Sequence, residues 1–225
     1  MLNRWVRYLP IIDLLKKDYG VPVLEVGSGS IGLGEFLDQP FVGCDVLFNP
    51  KELARTIMPV TASGTKLPFR DGAFHTVLCL DTMEHVPRAA RRPFVRELLR
   101  VTGSVLIIGA PMGAKASSAD RKLHEYFLQE GREVPIWLKE HMELIADFPA
   151  IKEFEEMFGE AGVAFAVRRG ESAFFHRAVI ILEHTRYVGR VVKMWSANPL
   201  RILISPFLRL VNYSSTYRTY LVARK

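Results

Sequence analysis

Cysteine is scarce: only Cys44 and Cys79 occur in 225 residues, each inside an apolar run. No disulfide framework can be built from them, and they read as small buried hydrophobes in a protein suited to a reducing cytoplasm. No uninterrupted apolar run approaches the roughly 18 residues of a membrane-spanning helix. The first residues lack the charged, apolar, small-residue order of a secretory signal, so the expectation is a soluble or peripheral cytoplasmic protein. Internal repeats and low-complexity tracts are absent. Acidic residues are only mildly short, with 30 Lys and Arg against 24 Asp and Glu, a net charge of +6 that is compatible with an anionic partner without demanding one. A chain of this length builds one sizeable core, and a single domain over 1–225 is expected.

The stretch that organises the chain is Val23-Leu24-Glu25-Val26-Gly27-Ser28-Gly29-Ser30-Ile31-Gly32. Val23, Leu24 and Val26 have the character of a buried parallel strand, and the glycines allow a tight turn whose backbone approaches a ligand closely. Gly27, Gly29 and Gly32 spell the G-x-G-x-x-G of a dinucleotide site, so nicotinamide, flavin and other nucleoside cofactors all stay open on the glycines alone. Two acids narrow the choice. Glu25 precedes the first glycine by two residues, where a bound pyrophosphate gains nothing from negative charge and a cationic ligand does. Asp45 ends the next apolar run, where a carboxylate can take both hydroxyls of a ribose. An adenosine with a positively charged tail satisfies both.

Three blocks in order and at the right spacing carry a family resemblance: Val23 to Leu37 with its E-x-G-x-G core, Leu67-Pro68-Phe69-Arg70-Asp71 through Asp81, and Glu84-His85-Val86-Pro87 ahead of a helix and the strand Val105 to Ile108. The chain resembles class I S-adenosylmethionine-dependent methyltransferases of the ubiquinone and menaquinone methylase-like group. The resemblance implies S-adenosylmethionine as cofactor, with Glu25, Gly27 and Gly29 at its methionine end, Asp45 on the ribose and Ser63, Thr65, Lys66 and Leu67 bordering the adenine. It also implies a Rossmann-like α/β fold, a seven-stranded mostly parallel sheet with helices on both faces and an antiparallel last strand. Two departures are visible. Ile31 stands at the family's usual third glycine, with Gly32 displaced by one, and Ser63 stands where relatives often carry an Asp.

Ligands of open parallel sheets gather beyond the carboxyl ends of the strands, so the strand Phe74 to Leu80 should deliver Asp81 to the cofactor and Glu84 and His85 to the reaction site. His85 is the candidate base for a protonated acceptor. A leading helix within 1–20, a substrate-proximal insert over 112–148 holding His124, Tyr126, Trp137 and His141, and an amphipathic helical insert over 184–213 complete the expected organisation. The polar loop after the fifth strand should reach a helix only at Asp120, and Pro10 should interrupt or kink the leading helix. No metal is expected, because a His-plus-carboxylate site around Glu140 or Glu143 lacks a ligand set. Asp81-Thr82-Met83-Glu84 replaces the Asn/Asp-Pro-Pro-Tyr of nucleic-acid amino-group methylases and favours an oxygen or carbon acceptor. The leading expectation is methylation of a small-molecule, lipid-linked or glycan acceptor. The basic amphipathic insert adds an anionic membrane surface as a partner. Arg88, Arg92, Arg96 and Arg100, four apart on one helix, motivate nucleic acid and an RNA methyltransferase as the alternative. The altered glycine turn motivates a third reading, a non-catalytic scaffold.

Overall fold

The computed structural model describes residues 2–17, 20–185 and 216–225. Seven strands form one sheet: β1 (Val23–Val26), β2 (Phe41–Asp45), β3 (Ile57–Thr61), β4 (Phe74–Leu80), β5 (Thr102–Pro111), β6 (Phe165–Arg169) and β7 (Arg218–Arg224). Their order is β3-β2-β1-β4-β5-β7-β6, parallel through β5, with β7 antiparallel to both its neighbours. The sheet is the expected one, and β4 keeps the expected bounds. The strand order reverses between β1 and β4, which opens a crevice beyond their carboxyl ends.

Period-two alternation divides the core. Leu24, Val26, Val77, Cys79, Leu106 and Ile108 point to the face covered by α2 (Arg88–Val101) and α5 (Ile151–Glu160), where Phe94, Leu98, Phe154 and Phe158 meet them. Val23, Leu78, Leu80, Val105 and Ile107 point to the other face, under Tyr8, Ile11 and Leu15 of α1 (Leu2–Lys17). Pro10 lies within α1, which runs through it without a break; in the turn below, the Arg7 carbonyl accepts a 2.5 Å bond from the Tyr220 hydroxyl. Both cysteines are free and buried, as their apolar setting implies.

Three helices depart from expectation. α3 (Gly113–Gln129) starts seven residues before Asp120, since Ala114, Ala116 and Ala119 are helix formers that a polar loop reading overlooks. α4 (Ile136–Glu143) and α6 (Ala173–Glu183) were not anticipated; α6 opens on the side-chain cap of Ser172 to the Phe175 amide, at 3.1 Å. The amphipathic insert expected over 184–213 lies, from residue 186 on, outside the described residues. Among the described residues no helix is long and apolar enough to cross a membrane.

Candidate active site

β1 runs into a turn that only glycine makes without strain: Gly27, Gly29 and Gly32 have φ of +76°, +55° and +45°. The turn is tied to the end of β2. Gly27 donates its amide to the Cys44 carbonyl at 2.8 Å, and Gly29 donates to Asp45 Oδ2 at 2.7 Å, while Asp45 Oδ1 takes the Val46 amide at 2.7 Å. Beyond these strand ends lies a cavity of about 740 Å³, within the range of small-molecule sites. Gly27, Asp45, Ser63, Thr65, Asp81 and His85 all border it. The Ser63 and Thr65 hydroxyls are 2.8 Å apart at its rim. Val46, 70% exposed beside Asp45, and Ala62 give the same rim an apolar slot. An apolar residue straight after a strand-end acid was the signal for Val46 in the sequence.

Glu25 requires a correction. It shares the face of Val23 by strand alternation, so it sits under α1 and not on the cavity. Its two oxygens accept from the Tyr8 hydroxyl at 2.5 Å and the Leu33 amide at 2.8 Å, pinning the glycine turn from below. Burial raises its pKa to about 7 against those two bonds. A carboxyl raised in the fold stabilises fully below its unfolded pKa and loses that contribution as pH rises through its folded pKa. Relative to Glu25→Gln, the wild type should therefore lose about 2–3 kcal/mol of unfolding free energy between about pH 5 and pH 8. Urea melts of both proteins at the two pH values measure this, and parallel pH profiles would remove the effect. Gly29 faces Asp45 rather than the cavity, Lys66 is exposed outside it, and Leu67 is core, with its amide on Glu97 at 2.8 Å. These three do not border the cavity either.

On the acceptor side, Thr82 and a single 3-10 turn, Met83–His85, follow β4. The turn is anchored by Arg91, 1% exposed, whose guanidinium holds the carbonyls of Met83, Val86 and Asp147 and pairs with Glu153 at 3.0 Å. His85 reaches the cavity, with Nδ1 3.4 Å from Glu140, and Glu140, Glu143 and Leu144 are the residues of the 112–148 segment that line it. Burial and then His141 lower the His85 pKa against the pull of Glu140. Glu84 is 1% exposed beneath the cavity, its pKa pushed well up by burial and by the Asp81 charge. His141, 3% exposed, stands behind His85 with its ring 4.9 Å away. Trp137 packs edge-on against His141 at 5.2 Å. Tyr126 lies under Arg132, and neither it nor His124 borders the cavity.

Asp81 borders the cavity, yet its carboxylate is already engaged. Arg218 grips both oxygens at 2.6 Å, and Arg7 Nε lies 2.8 Å from Oδ2. Burial raises the Asp81 pKa, and the two arginines more than reverse this and hold it well below the ordinary range. The network continues inward. Arg218 bonds Glu171 at 2.5 Å, Glu171 lies 3.3 Å from His176, and Tyr217, stacked on His176 at 3.7 Å, donates to Asp120 at 2.9 Å. None of Arg7, Arg218, Glu171, His176, Tyr217 or Asp120 was expected at the site, because all are distant in sequence from the glycine turn and from the turn after β4.

Residues 24–107 match a family model described as a methyltransferase domain. No curated protein matches the chain. Among solved structures, one from Thermotoga maritima, described as a possible histamine N-methyltransferase, shares 16% identity over 100% of this chain and 92% of its own, with a TM-score of 0.58. Magnesium protoporphyrin IX methyltransferase from Synechocystis, crystallised with bound S-adenosylhomocysteine, shares 14% identity over 99% of this chain and 83% of its own, with a TM-score of 0.54. At such identities the likeness is one of fold.

Proposed function

We propose that the chain is a class I S-adenosylmethionine-dependent methyltransferase that methylates an oxygen or carbon of a small-molecule, lipid-linked or glycan acceptor, in the manner of the ubiquinone and menaquinone methylase-like group. One observation carries the reading: a single cavity joins Gly27, Asp45, Ser63 and Thr65 to His85, Glu140 and Glu143. The first set fits the cofactor, with a side-chain-free turn, a strand-end carboxylate for ribose hydroxyls and an apolar slot at Val46 for a flat ring. The cofactor supplies an already activated methyl group, so the protein's task is to hold the acceptor in line in a water-poor pocket. The second set offers an imidazole and two carboxylates to an acceptor's hydroxyls, and it lies in the 112–148 segment and the turn after β4. Asp81 is engaged through both oxygens by Arg218, which leaves it ill-suited to draw in an amino group. Three of the four arginines that motivate the RNA alternative have acidic neighbours, which counts against it: Arg92 pairs with Glu160, Arg96 lies 3.9 Å from the same acid, and Arg100 holds Glu97 and Asp71 at 2.7 and 2.8 Å. A lipid-linked acceptor would bring the basic chain to an anionic membrane surface.

Thermal melts with S-adenosylmethionine, S-adenosylhomocysteine and NAD test the cofactor half. Ligand at about 100 times its Kd adds roughly 2.7 kcal/mol, a rise of about 5–11 °C for a chain of this size. The first two should shift the melt and NAD should not. Asp45→Ala should weaken S-adenosylmethionine by roughly 10- to 150-fold through loss of charge-assisted bonds. An unchanged affinity in that variant would remove Asp45 from the cofactor site, and a shift with NAD alone would overturn the reading.

A further inference from the structure

Behind the cofactor cavity, Glu84, His85 and His141 bring one carboxylate oxygen and two imidazole nitrogens within 4.8 Å of one another. We propose that these three side chains bind a divalent first-row transition cation that holds the acceptor's oxygen, an inference that rests on the methyl-transfer reading above.

The geometry is that of a ligand set with its supports in place. His141 Nδ1 lies 2.7 Å from Asp120 Oδ2, and Asp120 also accepts from the Tyr217 hydroxyl at 2.9 and 3.1 Å. A carboxylate on Nδ1 fixes the proton there and leaves Nε2 with its lone pair facing the cluster, the arrangement that orients and strengthens a metal-binding histidine. Nε2 is 3.9 Å from Glu84 Oε1. Glu84 is 1% exposed, and its second oxygen, Oε2, is buried with no hydrogen-bond partner among the described residues. Leaving that buried oxygen unbonded is costly, and a cation held by Glu84 would satisfy it. His85, one third exposed, opens the cluster to the cavity, so a cation there would keep positions free for an outside ligand.

Two imidazoles and one carboxylate form a mixed nitrogen and oxygen set, which suits Mn²⁺, Co²⁺ or Zn²⁺ better than the all-oxygen demands of Ca²⁺ or Mg²⁺. Ligand atoms around such an ion stand about 3–3.5 Å apart, so separations that now reach up to 4.8 Å close by up to about 1.5 Å on binding. No metal is expected from Glu140 or Glu143, and neither belongs to this set: its carboxylate is Glu84, which comes with His85 from the turn after β4, and His141 comes from α4.

The cation would hold the acceptor hydroxyl in line with the sulfonium methyl and lower its pKa. The hydroxyl proton leaves to solvent at the cavity mouth, and the O–C bond forms as the S–C bond of the sulfonium breaks. The products are the methylated acceptor and S-adenosylhomocysteine, and the cation is unchanged. His85 then serves the acceptor as a ligand to the cation rather than as the base.

The test is a titration of the EDTA-treated, dialysed full-length protein with Co²⁺, followed by its visible d–d absorption, without any cofactor present. One equivalent should bind with the spectrum of a site containing nitrogen ligands. Glu84→Gln and His141→Ala should weaken binding by more than 100-fold, and Asp120→Asn, which touches no cation, by about 10- to 100-fold. His75→Gln, at the far end of β4, should bind as the wild type does. Glu84→Gln is isosteric and answers the question if His141→Ala fails to fold. Absence of a stoichiometric spectrum, or one that persists in Glu84→Gln, overturns the site. If S-adenosylmethionine still raises the melting temperature in that case, the methyl-transfer reading survives without the cation. A Co²⁺ spectrum in a protein that S-adenosylmethionine does not stabilise would keep the site and remove the role given to it.

Discussion

Gly27→Ala is expected to remove S-adenosylmethionine binding and destabilise the fold, while Gly29→Ala, two residues on, is expected to do far less. Both glycines have positive φ, so each alanine suffers the left-handed strain of roughly 1–2 kcal/mol. They differ in what a methyl group would meet. At Gly29 the space within 4 Å is empty, whereas at Gly27 the new carbon would lie 2.0 Å from Thr82 Oγ1, 2.7 Å from its Cγ2 and 2.9 Å from its Cβ. Thr82 follows directly on β4 and Asp81, and its hydroxyl donates to the Leu80 carbonyl at 3.2 Å, so the loop must give way.

Overpacking of this kind adds about 1–3 kcal/mol to the strain. The melting temperature of Gly27→Ala should therefore fall by roughly 4–20 °C at about 2–4 °C per kcal/mol. A displacement on the order of 1 Å at a positioning site is worth about 100-fold, and the affinity of Gly27→Ala for S-adenosylmethionine should drop by at least that. Calorimetric titration measures it. Thr82→Gly removes all three clashing atoms, so Gly27→Ala with Thr82→Gly should recover binding to the level of Gly29→Ala. Equal affinities in the two single variants would show that contact with Thr82 does not govern the turn.

What could be read from the chain was local. Gly27, Asp45, Ser63, Thr65 and His85 each sit at the carboxyl end of a strand or just past it, so finding the strands places them on one edge of the sheet. Glu25 went astray because alternation along β1, and not nearness to the glycines, decides which way it points. α6 is hard to read from Ala-Phe-Phe-His-Arg-Ala-Val-Ile-Ile-Leu-Glu because its exposed side is apolar too, Phe174 being 78% exposed, so the buried stripe of His176, Val179 and Ile180 does not stand out. The charged network behind the cavity could not be read at all. Asp81 and Arg218 lie 137 residues apart, and they meet because the antiparallel β7 begins where the parallel β4 and β5 end. Pairing across such a distance is a property of topology, which residue types do not announce. The Glu84, His85 and His141 cluster belongs to the same class, since α4 must fold and dock before His141 is near the others.

Arg218→Met should be the most destabilising single change in this network. Arg218 is 1% exposed and is the shared counter-ion of two buried acids, gripping Asp81 through both oxygens at 2.6 Å and Glu171 at 2.5 Å. Burial raises the pKa of Glu171, and His176 and Arg218 reverse this to hold it below the ordinary range. Asp81 also has a φ of +46°, the one non-glycine residue with positive φ among those described, so the clamp holds a backbone that would otherwise relax. Methionine keeps much of the side-chain volume and removes the charge, leaving Asp81 to Arg7 and Glu171 to His176. Stranding buried charge in this way is worth about 3–5 kcal/mol, a fall of roughly 6–20 °C in melting temperature. Arg218→Lys should recover little, because a single ammonium cannot span two carboxylates in a forked geometry. Arg218→Met with Glu171→Gln should be more stable than Arg218→Met alone, since it removes one of the stranded charges, and urea unfolding of the four proteins measures that difference. If adding Glu171→Gln destabilised Arg218→Met further, the arginine would be acting through packing, and its charge would not be what holds β7 to the end of β4.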